Sequence, residues 1–194
     1  MSKIIDIYSL KTLHDMLEKY TPEQRKKLIL YLDLDLTIIM SNPANENEDI
    51  LIEEDVTKEL FKFLTEHEIY FTMITARFHD TICNARKRNL SEVHQNLTTT
   101  IFPVLEQLGL DIESYKNDDK FHPLKNEHGK TVGVIYKGII LGAKKGEIIK
   151  HYRKEFGLEK SHPITIFIDD HDTYLKNVEK HVEGAVILRR NIKE

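Results

Sequence analysis

A chain of 194 residues, 40% hydrophobic and 31% charged, can bury a substantial core and has the size of a single domain, residues 1–194. Its formal net charge of −4 excludes a general electrostatic pull toward nucleic acid or anionic membrane, which needs clustered positive charge; the run Arg86, Lys87, Arg88 reads as a solvated helix face. No apolar run reaches the roughly 18 residues of a membrane span, and the lone cysteine, Cys83, cannot form an internal disulfide, which points to a cytoplasmic or other reducing compartment.

Ser9 can cap a first helix whose apolar positions Leu10, Leu13, Met16 and Leu17 share a face, ending before Pro22. The apolar run from Leu28 reads as a strand ending at Asp33. A stretch rich in Asn, Glu and Asp then forms a short insert, residues 41–55, after which Asp55 can cap a helix through Leu60, Phe61 and Leu64. Residues 69–74 are a second apolar strand. Helices are expected around 81–90 and, opened by Pro103, around 103–108. From 111 the chain turns polar, and 130–141 reads as β-structure interrupted by Gly133 and Gly138, so residues 111–142 are expected to form a flap or hairpin region turning near 126–129. A helix at 146–156, a strand at 164–168, a helix at 173–182 and a strand at 185–188 follow. Continuous apolar strands alternating with amphipathic helices predict an α/β fold with a mostly parallel central sheet covered on both faces.

Ligands of such sheets sit beyond the carboxyl ends of the strands. Three apolar runs end there in polar groups: Asp33 and Asp35, then Thr75, then Asp169 and Asp170. An ionised carboxylate is costly to take out of water unless a cation or hydrogen-bond donors meet it, so two aspartates closing a buried strand call for something positive. Hard oxygen ligands suit Mg²⁺, and the chemistry that uses such a set is phosphoryl transfer through a carboxylate nucleophile. Asp33 would attack phosphorus. Asp35 would protonate the leaving oxygen and later take a proton from the hydrolysing water. Thr75 offers a hydroxyl to a phosphate oxygen, Lys145 a point charge, and Arg77 a second cation for substrate. Lys145 sits where a helix begins, against the helix dipole, which an anionic partner would explain.

These residues carry a resemblance. Asp33-Leu34-Asp35-Leu36-Thr37 is similar to motif I of the haloacid dehalogenase (HAD) superfamily in its DxDxT phosphatase branch. Thr75 resembles motif II, Lys145 followed by Gly146 motif III, and Ile168-Asp169-Asp170 motif IV, in the family's order. The resemblance implies a three-layer α/β/α Rossmannoid core, with Mg²⁺ held by Asp33, the backbone carbonyl of Asp35 and Asp170, and with Asp169 supporting them from behind. It also implies an aspartyl-phosphate intermediate and phosphomonoester hydrolysis, since branches that cleave carbon–halogen bonds or drive pumps lack the second aspartate. Phe167-Ile168-Asp169-Asp170 with Leu175-Lys176-Asn177-Val178 further resembles a bacterial branch that includes effector phosphatases of intracellular pathogens, which implies delivery into a host cell.

The short insert between the first two motifs leaves no room for a large helical cap. Among similar proteins, minimal caps accompany macromolecular substrates, so a phosphorylated protein is the expected partner, phosphotyrosine before phosphoserine. A sugar or nucleotide phosphatase and a non-catalytic phospho-ligand binding module are the alternatives. A cysteine-based phosphatase would need arginine six residues after Cys83, where Asn89 stands, and Cys83 reads as core. A phosphorylation-receiver domain carries its acidic pair first in the chain, whereas here it comes last. The histidines lack zinc-site spacing, and His79 and His171 read as surface residues or substrate contacts.

Overall fold

The computed structural model describes residues 4–83 and 89–192, so the expectations for Arg86, Lys87 and Arg88 and for the Cys83 side chain lie outside the described residues. Eight strands form one sheet: β1 (Ile4–Ile7), β2 (Leu28–Asp33), β5 (Tyr70–Thr75), β6 (Phe121–Lys125), β7 (Thr131–Tyr136), β8 (Ile139–Leu141), β9 (Ile164–Asp169) and β10 (Val186–Arg190). Two more, β3 (Ile39–Asn42) and β4 (Asn45–Leu51), pair with each other as an antiparallel hairpin. The main sheet runs in the order β1-β10-β9-β2-β5-β8-β7-β6. From β1 to β8 every neighbouring pair is parallel, and β7 and β6 continue it antiparallel.

The continuous apolar reading of the inner strands follows from burial on both faces. Along β2, Leu28, Leu30 and Leu32 enter one core while Ile29 and Tyr31 enter the other. The first core is covered by the helices Leu10–Glu18 and Glu54–Glu66 and by the helical stretch 90–108; the second by Lys145–Glu155 and Asp172–His181. Ser9 caps the first helix as expected, accepting from the Lys11 amide at 3.1 Å.

Several expectations need correction. The helix after the insert begins at Glu54, not after a cap at Asp55: Glu53 precedes it in a left-handed conformation and makes no side-chain cap. Its carboxylate is used elsewhere, accepting from the Leu10 amide at 3.0 Å and pairing with Arg190 at 2.8 Å. The insert itself holds the β3–β4 hairpin. The helix expected at 103–108 is the end of a longer helical stretch from Leu90, within which Leu97–Ile101 is a π turn. Pro103 lacks an amide and stands just after that turn, where a widened register tolerates the missing hydrogen bond. Strand β1, Ile4-Ile5-Asp6-Ile7, was not expected although three of its four residues are isoleucine, and β6 carries little apolar content beyond Phe121 and Leu124. The Gly138 interruption is a two-residue hairpin turn, with Lys137 and Gly138 both at positive φ (53° and 71°), and it reverses the chain between β7 and β8.

Candidate active site

Strand β2 has β5 on one side and β9 on the other, so the strand order reverses beside it, and crevices open at the carboxyl ends of strands at such a point. Asp33, Thr75 and Asp169 are the last residues of those three strands, and Lys145 is the first residue of the helix that follows β8. Asp33, Asp169 and Lys145 are almost wholly buried, at 3%, 0% and 1% exposure. The Lys145 ammonium donates to Asp33 Oδ1 and, at 2.7 Å, to Asp169 Oδ2. Thr37 donates its hydroxyl to Asp33 Oδ2 at 3.2 Å, and the His171 amide donates to Asp169 Oδ1 at 2.8 Å. The Tyr174 ring lies 4.5 Å from the Lys145 nitrogen and covers it with a cation–π contact.

Burial dominates the electrostatics. It pushes the Asp33 carboxyl well above its ordinary value, with the Asp169 charge adding to the effect and Lys145 opposing it. Burial raises Asp169 and Asp170 in the same way. For Lys145 burial works downward, but the charges of Asp33 and Asp169 outweigh it and leave the ammonium harder to deprotonate than a free lysine.

Carboxylate oxygens of Asp33, Asp169 and Asp170 lie within 4.8 Å of one another. One lysine pairs with two of the three carboxylates. Half-buried Asp170 has no Lys, Arg or His ion pair among the described residues, and Asp169 has both oxygens engaged by Lys145 and His171. The excess of negative charge and the all-oxygen donor set fit a hard divalent cation such as Mg²⁺: Asp170 is the carboxylate without an ion pair, while Asp33, held by Lys145 and Thr37, and Asp169, held by Lys145 and the His171 amide, would reach the ion through their remaining lone pairs.

Asp35 stands beside this cluster, close enough for its charge to act on Asp33 and Asp170, but takes different partners. After Leu34 the chain folds into a tight loop in which the Leu34 carbonyl accepts from the amides of Ile38 and Ile39 (3.0 and 2.9 Å), with Leu36 at φ 57°. The side chain of Asp35 is 36% exposed. Its Oδ2 accepts from the Thr75 hydroxyl at 2.7 Å and its Oδ1 from Arg77 Nε at 2.9 Å, while the Arg77 amide donates to Thr75 Oγ1 at 3.0 Å. The structure therefore brings Asp33, Lys145, Asp169 and Asp170 together in one group, and Asp35, Thr75 and Arg77 in an adjoining one. Comparison with protein-family models, curated proteins and solved structures finds no match.

Some contacts were not expected from the sequence, although Asn177 belongs to the Leu175-Lys176-Asn177-Val178 stretch singled out there. Asn177 accepts the Gly146 amide at 2.8 Å and so caps the helix that begins with Lys145. A Cβ on Gly146 would lie 2.1 Å from the Asn177 carbonyl oxygen, so the two helices meet here at backbone distance. His79 reads in the sequence as a surface residue or substrate contact; instead its Nδ1 accepts from the Ala143 amide at 3.1 Å and braces the segment leading to Lys145. His171 caps the last helix, accepting from Thr173. The one available signal was spacing: Tyr174 and Asn177 stand three apart on a helix that begins beside Asp169 and Asp170.

Proposed function

We propose that the protein is a Mg²⁺-dependent phosphomonoesterase of the HAD DxDxT type, with a Rossmannoid core and a minimal cap, acting on phosphorylated protein and preferring phosphotyrosine. The observation that carries this reading is the meeting of Asp33, Asp169 and Asp170 within 4.8 Å around the buried Lys145, at the carboxyl ends of adjacent parallel strands. Neutralising three carboxylates needs more than one lysine.

In this reading a carboxylate oxygen of Asp33 attacks phosphorus, the ester P–O bond breaks, and the leaving oxygen takes a proton from Asp35. Water then attacks the phosphorus of the aspartyl phosphate and gives a proton to Asp35. The bond to Asp33 breaks, inorganic phosphate leaves, and both aspartates return to their starting states. Thr37 and Lys145 hold Asp33 in place, and Asp169 holds Lys145. Bound Mg²⁺ would supply charge neutralisation between the Asp33 carboxylate and the phosphoryl oxygens.

The lean toward an aryl ester rests on the side chains beside Asp35 and beside Lys145. Leu36 is 47% exposed beside Asp35, and the rings of Tyr174 and His171 pack together 5.0 Å apart next to Lys145. An exposed apolar side chain and two rings suit an aromatic leaving group better than a sugar. Hydrolysis of a panel of phosphotyrosine peptides, phosphoserine peptides and sugar phosphates with Mg²⁺ supplied tests the proposal. The highest kcat/KM is expected on the phosphotyrosine peptides; a sugar phosphate preferred by tenfold would reverse the substrate assignment.

A further inference from the structure

Asp49 has no part in the mechanism above. It lies in β4 opposite Ser41, in the stretch that reads in the sequence only as a polar insert. Yet its side chain is 5% exposed, and it accepts from Arg77 Nη1 at 2.7 Å. Arg77 presents its other edge to Asp35 Oδ1, while the Thr75 hydroxyl fills Asp35 Oδ2. Both oxygens of Asp35 are therefore occupied, and one guanidinium spans two carboxylates from different elements. Asp35 Oδ1 accepts from both Nε and Nη2 of Arg77, which uses its two lone pairs, so a substrate can reach that oxygen only when the guanidinium leaves it. Thr75 is fixed at the end of β5, whereas Arg77 is long, partly exposed and anchored by Asp49, so it can swing without losing its buried partner. A phosphoryl group offers the guanidinium a fork of oxygens carrying more charge than a carboxylate.

We propose that Asp49 is a positioning residue that holds Arg77 at the mouth of the site, so that the guanidinium passes from Asp35 to the non-bridging oxygens of the substrate phosphoryl group. The proposal rests on the phosphomonoesterase reading. It makes the β3–β4 hairpin the pivot of a latch: Asp35 is released when phosphate arrives and recaptured when it leaves. Only ionic contacts change hands.

The test uses the full chain with Mg²⁺ and para-nitrophenyl phosphate, comparing Arg77→Ala, Asp49→Asn, the double variant and Asp49→Glu. Loss of a charge-assisted contact raises KM about tenfold in Arg77→Ala. Asp49→Asn raises KM by a smaller factor that exceeds its loss in kcat, Asp49→Glu recovers most of it, and Asp49→Asn adds nothing once Arg77 is alanine. An unchanged KM in Asp49→Asn, or independent multiplication of the two effects, overturns the latch. If Asp49→Asn fails to fold, Asp49→Ser, which also removes the carboxylate from Arg77, takes its place in the same comparison.

Calorimetric binding of inorganic phosphate separates the two proposals. Phosphate affinity weakened in both variants of a wild type that does not hydrolyse esters keeps the latch and removes the hydrolase. Normal hydrolysis with phosphate affinity indifferent to Arg77 and Asp49 removes the latch alone. A wild type that neither hydrolyses esters nor binds phosphate removes both.

Discussion

Lys145 is the residue on which the buried charges balance. Its ammonium is the shared partner of Asp33 and Asp169, and removing one side of a buried ion pair leaves the other without compensation. Lys145→Met is therefore expected to lower stability by about 3–5 kcal/mol in metal-free urea denaturation. Added Mg²⁺ should recover part of that loss by meeting the freed carboxylates, and a variant as stable as wild type without metal would show that the pairs are not compensating each other. Asp33, Lys145, Asp169 and Asp170 were legible in the sequence because each stands at a strand end or helix start, the places that a parallel sheet brings together. Thr75 and Arg77 were also singled out there, but the carboxylate that anchors Arg77, Asp49, was not. Arg77 and Asp49 are 28 residues apart, and their contact depends on where the hairpin places β4.

Among the elements, the two helices Lys145–Glu155 and Asp172–His181 fix where that lysine stands. Gly146 allows their backbones to approach, and Asn177 accepts from the first free amides of the earlier helix. Gly146→Ala would push a methyl into the Asn177 backbone, and overpacking of this kind destabilises by about 2 kcal/mol. Asn177→Ala removes only the cap, an effect of about 1 kcal/mol. Thermal denaturation should rank them in that order, and Gly146→Ala should also lower kcat because Lys145 shifts with its helix; equal stability in the two variants would contradict the close-approach argument. The inner strands β2, β5 and β9 were readable from their apolar runs. The hairpin β3–β4 was not, since β3 is only four residues long and β4 is rich in Asn and Glu, so that pairing rather than an apolar run makes them strands. Glu53 shows the converse, a residue whose distant partners Leu10 and Arg190 override local capping rules.

For the molecule as a whole, the raised carboxyls of Asp33, Asp169 and Asp170 set the dependence on pH. A folded-state value above the ordinary 3.8 means that the folded protein holds protons more tightly than the unfolded chain. The stability these groups contribute is present in full below 3.8 and is lost as pH rises through their raised values. The raised Lys145 contributes stability that is complete below 10.5 and lost only above it. Metal-free protein should lose the carboxyl contribution as pH climbs from acid toward neutral. In the proposed reading Mg²⁺ binds the ionised carboxylates, so the rise in Tm that it produces is expected to grow over the same interval. A Tm increment independent of pH would place the ion away from these three aspartates. No described helix is long and apolar enough to cross a membrane, and the sheet order follows from which strands are buried on both faces. What the sequence left open is the antiparallel extension β8-β7-β6, where a turn at Lys137 and Gly138 rather than apolar content decides direction.

The central claim is that Asp33 bonds to phosphorus in a site that needs a divalent cation. Initial rates of para-nitrophenyl phosphate hydrolysis, measured for wild type and Asp33→Asn with Mg²⁺ and with a chelator, test it most directly. Turnover is expected only in the wild type with Mg²⁺, with a loss of at least about a thousandfold in the variant. Equal rates in the chelator, or an Asp33→Asn variant as fast as wild type, would contradict it.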